Sequence, residues 1–214
     1  EGHQVYGLSR RVPEDLIQNK NFHHIICDLT NFESIPGLLT SLLSKVSKID
    51  LAILNAGILG PIANMKDQSL DNLTKVMNIN VWANKPIIDA LLETVPNTKK
   101  VVAISSGAAI NGNKGWGGYS ISKAALNMFI KLYASENKNT AFYSFAPGLI
   151  DTPMQDYLCG DELDVSKFPS AQKLKDARYT PNMPTAENAG EILAKGIDEL
   201  DKLETGSFAD IRKM

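Results

Sequence analysis

The sequence predicts an α/β protein, a doubly wound parallel sheet of the Rossmann-like type with helices on both faces. Two observations predict it. Short apolar runs rich in β-branched residues alternate with amphipathic stretches, and polar or glycine-bearing motifs fall directly after several of those runs. Apolar runs bounded by turn residues fit strands buried on both faces. Strands alternating with helices fit parallel crossovers.

The elements follow in order. Residues 5–8 form a short strand, followed by strands at 25–27, 51–54, 101–104, 141–145 and 207–209. Residues 72–92 and 118–135 are long enough for crossover helices. Residues 154–184 break the rhythm with charges, prolines and scattered aromatics, and read as a mobile loop or short helices covering a site. The whole of 1–214 reads as a single domain. Residues 1–5 read as the end of a helix, a turn and a strand, whereas a dinucleotide fold opens with a strand and a glycine-rich turn. A native chain carrying roughly 25 to 30 further N-terminal residues, about one βαβ unit's opening, is therefore expected. Without that first strand, the strands at 5–8 and 51–54 lack their shared neighbour.

Composition narrows the function classes. A hydrophobic fraction of 43% supports a sizeable core, and a formal net charge of −2 offers no concentrated basic surface. Nucleic acid and membrane are not expected partners. The least charged apolar stretch, 51–65, is too short and interrupted to span a bilayer. No secretory signal pattern opens the sequence. Cys27 and Cys159 are far apart and suggest no metal site. Reduced thiols and a cytoplasmic location are expected.

The chemistry centres on Tyr119 and Lys123. Spaced i to i+4, they share one helix face. An ammonium beside a phenol favours phenolate, so Lys123 is expected to lower the Tyr119 pKa and fit it for proton transfer. Ser106 lies thirteen positions earlier, just beyond the strand at 101–104, where open α/β sheets bind ligands. A serine there can hydrogen-bond a carbonyl oxygen. Asn55-Ala56-Gly57 and Pro147-Gly148 follow two other strands, and Asn80 lies among apolar helix neighbours where it needs partners.

In order, spacing and placement, Asn55-Ala56-Gly57, Asn80, Ser106, Tyr119-x-x-x-Lys123 and Pro147-Gly148 resemble the motifs of the short-chain dehydrogenases/reductases. The finer resemblance is to the sepiapterin reductase and benzil reductase branch, carried by residues 115–119, 123–129 and 147–155. The resemblance implies that Tyr119 donates a proton as hydride arrives from a nicotinamide. Lys123 would tune Tyr119 and hold the nicotinamide ribose, Ser106 would orient the carbonyl, and Asn80 would hold a water linking Lys123 to solvent. Asn55, Ala56 and Gly57 would line the cofactor pocket. Pro147, Gly148, Ile150 and Thr152 would contact its nicotinamide end, and Asp28 and Leu29 the adenine edge. It also implies a homodimer or homotetramer, paired through the helices holding Asn80 and Tyr119. The glycine-rich loop of the family has no counterpart in this sequence.

An NAD site usually places an acid at the end of the second strand to bond the ribose 2′-hydroxyl. Here that strand runs into Leu8-Ser9-Arg10-Arg11, with no acid. A guanidinium pairs well with a 2′-phosphate, which favours NADP(H) held by Ser9 and Arg10. For a small-molecule carbonyl substrate, Trp116, Met154, Tyr157 and Leu158 suggest an apolar pocket that accepts aromatics. Asp210 falls where sepiapterin reductases carry an acidic substrate anchor, although an acid on the surface is the simpler reading. The expected activity is NADPH-dependent reduction of a ketone, diketone or pterin side-chain ketone. A noncatalytic dinucleotide-binding regulator, and an alcohol dehydrogenase working oxidatively, are the alternatives. Ser120-Ile121-Ser122-Lys123 also matches S-x-x-K, but the S-D-N and K-T-G partners of an acyl enzyme do not occur.

Overall fold

A computed structural model describes residues 2–161 and 163–214. Glu1, in the expected helix end, and Glu162, in the expected covering loop, lie outside the described residues; residues 2–4 are not helical.

Among the described residues, six strands form two parallel sheets. β1 (Val5–Ser9) pairs with β2 (Phe22–Ile26), with Leu8 opposite Ile25. β3 (Ala52–Leu54), β4 (Lys100–Ile104), β5 (Ala141–Ala146) and β6 (Phe208–Asp210) follow in that spatial order, all parallel. No hydrogen-bonded ladder joins β1 to β3.

Strand burial is uneven. Val101, Val102, Phe142 and Phe145 of β4 and β5 are fully buried, as expected of strands covered on both faces. Ile26 of β2 is 62% exposed and Ile53 of β3 is 49% exposed. Full burial therefore holds for β4 and β5 in the middle of the larger sheet and fails in β2 and β3, which are edge strands.

Among the described residues, seven α-helices accompany the sheets. α1 (Ser34–Leu43) buries Ile35, Leu39 and Leu43 at four-residue spacing, which is one helical stripe. Its Pro36 falls in the first turn, where a missing N–H costs nothing. The expected helix at 72–92 is α2 (Leu70–Met77), a π-helical turn at Asn78–Trp82, and α3 (Asn84–Thr94). Ser69 caps α2 by accepting from the Asn72 N–H. α4 (Gly117–Glu136) buries Gly118, Ser122, Leu126, Ile130 and Ala134, again at four-residue spacing, and this stripe fixes its rotation against the sheet.

Of the two expected forms of residues 154–184, the structure has the short helices: α5 (Pro153–Cys159) and α6 (Pro169–Ala177), each opened by a proline at its first turn. α7 (Ala186–Glu199) leads into β6. One core joins α1, α3 and α4 to one sheet face, with Val101, Ala103 and Phe142 pointing into it. Val102, Tyr143 and Phe145 alternate to the other face and meet Ile197 of α7. Helices on both faces of a parallel sheet make the doubly wound fold. A third cluster, Leu59, Ile62, Trp116, Leu158, Leu163, Phe168 and Ala171, seats α5 and α6 over the ends of β3 and β4.

Candidate active site

The carboxyl ends of β3, β4 and β5 converge on the start of α4. Tyr119 and Lys123 stand one turn apart on α4, beside its buried stripe. Lys123 is 3% exposed, and its Nζ donates to the Ile104 carbonyl at 2.7 Å. That bond ties α4 to the end of β4. An ammonium carries three N–H donors, so Nζ has capacity beyond this bond.

Asn80 is fully buried at the centre of the π-helical turn. Its Oδ1 accepts from the Ile58 N–H at 2.8 Å, and its Nδ2 donates to the Ile58 carbonyl and to Ser122 Oγ, each at 2.9 Å. Ser122 Oγ in turn donates to the Tyr119 carbonyl at 2.8 Å. Asn80 thus links the segment after β3 to the first turn of α4. The Asn80 carbonyl accepts from Asn84 Nδ2 at 3.0 Å. A widened π turn frees a carbonyl from the helical ladder, and such turns often mark functional sites.

Gly57 closes the set. A Cβ there would stand 3.4 Å from both Lys123 Nζ and Asn80 Oδ1. A Cβ would fill this corner to van der Waals contact with both groups, and glycine leaves it open. Asn55 and Ala56, just after β3, are exposed at its rim. Ser106, two residues beyond β4, accepts from the Ala108 N–H at 3.1 Å and has its own proton to donate. Pro147-Gly148 follow β5, with Gly148 at φ +78°, a left-handed conformation that disfavours other residues. Ile150 is partly buried beyond them, and Thr152 opens α5 without using its hydroxyl as a cap.

Electrostatics corrects one expectation. The Tyr119 pKa is raised, not lowered, because burial penalises the phenolate; Ser106 pulls in the opposite direction. Lys123 is pushed down to about 8 by the same desolvation. Its Nζ lies over the Tyr119 ring, 5.6 Å from the centroid, with its hydrogen bond directed to Ile104 instead of the phenol. Proximity along the helix is therefore outweighed by burial.

The remaining expected residues spread around this centre. Trp116 is 9% exposed, stacks edge-on to Tyr119 at 6.0 Å, and donates its indole N–H to Ser170 Oγ at 2.7 Å. It is more wall than contact surface. Met154 packs on the same cluster, and Tyr157 Oη accepts from the Ile62 N–H at 3.3 Å. At the far end, Ser9 Oγ donates to the Arg11 carbonyl at 2.7 Å, and Arg10 is exposed near Asp28. Asp28 accepts from the Thr30 N–H and hydroxyl, each at 2.9 Å, which holds its carboxyl below the ordinary range; Leu29 is half-buried beside it. Asp210 lies inside β6, 5% exposed, so the reading of it as a surface acid fails. Its partner Arg212 went unnoticed in the sequence, as did Ser122 and the Arg178 clamp, whose guanidinium holds Asp151 at 2.9 Å and Asp156 at 2.6 Å. Ser122 was legible in principle, since it stands three residues from Tyr119 on the same helix. Arg178 was not, because the turn residues at 180–184 mark a bend without saying which side chains it brings together.

Residues 6–162 match the short chain dehydrogenase family. The chain belongs to that family. Similar proteins include benzil reductase ((S)-benzoin forming) of Bacillus subtilis, 37% identical over 72% of this chain and 68% of the relative. Sepiapterin reductase of Bos taurus is 30% identical over 94% of this chain and 72% of the relative. An oxidoreductase of Schizosaccharomyces pombe, C30D10.05c, is 34% identical, and this short-chain dehydrogenase spans 63% of its length. The solved structure of the Saccharomyces cerevisiae short-chain dehydrogenase/reductase YIR035C superposes with a TM-score of 0.84 at 24% identity, covering 97% of this chain and 85% of that one. Among the described residues, no helix is long and apolar enough to cross a membrane.

Proposed function

We propose that this short-chain oxidoreductase is an NADPH-dependent carbonyl reductase in which Tyr119 donates the proton. The observation that carries the reading is the convergence of Ser106, Tyr119 and Lys123 at the strand ends, with Asn80 and Gly57 holding an open corner beside Lys123 Nζ. The residues fit a dinucleotide. Lys123 has N–H capacity for ribose hydroxyls, Gly57 leaves room next to it, and Thr152 has an uncommitted hydroxyl near Pro147 and Gly148. Arg10 and Ser9, at the end of β1 with no acid on that strand, favour a 2′-phosphate. When bound, a reduced nicotinamide supplies the hydride taken up by the carbonyl carbon.

The chain's own residues do the rest. Ser106 donates to the substrate oxygen and orients it. Tyr119 Oη releases its proton to that oxygen, giving the alcohol. Trp116, Met154, Tyr157 and the helices α5 and α6 cover the carbonyl with apolar surface. The names of the bacterial and bovine relatives support a diketone or a pterin side-chain ketone as the substrate class. The open edges of β1 and β3 support one further strand between them, with its glycine-rich turn. Exposed Trp82, Met128 and Leu132, on the helical segments holding Asn80 and Tyr119, support pairing of subunits there.

The test is NADPH oxidation by the full-length protein with diketones, aldehydes and sepiapterin, with NADH in parallel. Turnover of one of these is expected, and Tyr119→Phe should abolish it while NADPH binding persists. Most activity surviving in Tyr119→Phe would remove Tyr119 from the mechanism.

A further inference from the structure

Asp210 is a poor anchor for a cationic ligand edge. Its Oδ1 accepts from the Arg212 backbone N–H at 3.1 Å and from Arg212 Nε at 2.8 Å, and its Oδ2 from Arg212 Nη2 at 2.5 Å. The acid's side chain is 3% exposed and that of Arg212 is 52% exposed, so the group facing outward is the guanidinium. It packs against two glycines. A Cβ at Gly107 would stand 2.8 Å from Arg212 Nη2, and one at Gly148 would stand 3.7 to 3.8 Å from its Cγ and Cδ. The Arg212 stem therefore lies along the turn after β5, and its fork reaches the residue that follows Ser106. A guanidinium has five N–H groups, and Asp210 takes two. Three remain for a ligand.

We propose that Arg212, braced by Asp210 and seated against Gly107, selects carbonyls flanked by a second oxygen acceptor, in particular a neutral vicinal dicarbonyl. The inference rests on the reductase reading above. With the reacting oxygen on Ser106 and Tyr119, an acceptor on the adjacent carbon falls within reach of a group packed on Ser106's chain neighbour. Hydride from reduced nicotinamide goes to one carbonyl carbon and the Tyr119 proton to its oxygen. The product is a 2-hydroxy ketone whose second carbonyl is unchanged and stays bonded to Arg212. The carboxylate of a 2-oxo acid presents the same flanking acceptor with a charge. The apolar walls at Trp116 and Met154 favour the neutral form.

The experiment measures kcat/KM of the full-length enzyme for 1-phenyl-1,2-propanedione, phenylglyoxylate and propiophenone, which lacks the flanking oxygen. The dicarbonyl should be preferred over propiophenone, and Arg212→Met should shrink that preference by about tenfold or more, the loss expected for a charge-assisted hydrogen bond. Arg212→Met leaves Asp210 buried and unpaired, which can unfold a protein. The Asp210→Asn/Arg212→Met double variant removes both charges and should show the same loss of selectivity. A larger effect on phenylglyoxylate than on the dione would name the charged acceptor as the ligand, still through Arg212. An unchanged ratio in the folded double variant overturns the inference, as does selectivity lost in Asp210→Asn but kept in Arg212→Met. Ketone turnover without dicarbonyl preference overturns the Arg212 assignment alone. No turnover of any of the three removes the reductase reading and this inference with it.

Discussion

Replacing Asn80 with alanine should cost the fold about 3 kcal/mol and loosen the cofactor corner at the same time. The magnitude comes from its partners. The Ile58 N–H and C=O lose their Asn80 bonds, made at 2.8 and 2.9 Å. Ser122 loses an incoming bond but still donates to the Tyr119 carbonyl, so it is not orphaned. Two stranded backbone groups at roughly 1 to 3 kcal/mol each bracket the figure, and Ile58 is partly open to water, which favours the lower half. Urea unfolding measures it directly, and a thermal scan should drop by about 6 to 12 °C for a chain of this size. The same loss frees the segment at 55–58, so NADPH affinity should fall even where the variant is fully folded. A stability loss under about 0.5 kcal/mol, with affinity intact, would mean that water replaces Asn80 freely and that it does not organise the site.

Lys123 supplies a second prediction. Its pKa of about 8 in the free protein means that its ammonium is lost as pH rises through that value, so kcat/KM should fall on that limb, and Lys123→Arg should move the limb upward. The unfolded chain still binds that proton up to the ordinary lysine value of 10.5, so this group makes stability rise with pH between about 8 and 10.5, as urea midpoints across that window would report. An activity limb unmoved by Lys123→Arg would assign it to another group. Arg10→Ala should weaken NADPH binding far more than NADH binding, read by titration of each cofactor, and equal losses would refute the 2′-phosphate contact.

Much of the fold was legible because burial writes itself into short apolar runs. β4 and β5, covered on both faces, are continuous in the sequence, and all six strands lie within a few residues of their apolar runs. α1 was not read, since Pro36 and Gly37 lie inside it and mask a stripe of only three buried residues. The π-helical turn is invisible to periodicity. It inserts its irregularity at Asn80 without interrupting the apolar pattern on either side. At the site, strand-end position singled out Ser106 and helical spacing singled out Tyr119 and Lys123, but neither gave the protonation behaviour of the pair. Spacing reports which side chains are neighbours, whereas a pKa depends on how much water the folded chain excludes. Asp210 failed as a surface acid for a similar reason. Its partner two residues later lies just past the end of the strand, where the backbone turns the guanidinium back onto the acid.

The two buried ionisable groups set the protonation state of the site near neutrality. Desolvation raises Tyr119 and lowers Lys123, so both are pushed toward their neutral forms. A neutral phenol is the state that a carbonyl reduction consumes, because the proton must already be on Oη when the alkoxide forms. Alcohol oxidation needs the opposite, a phenolate ready to accept, and burial makes that state expensive at neutral pH. Burial therefore keeps Tyr119 a neutral phenol near neutrality, the state that the proposed reduction uses, and only alkaline pH ionises it. Ser106 acts against burial, favouring phenolate, and so narrows the gap that proton transfer must cross. Ser106→Ala should shift any alkaline limb of the oxidative reaction upward in pH, because a hydroxyl that favours the phenolate would be gone. A Ser106→Ala enzyme whose oxidative limb stayed in place would confine the serine to holding substrate.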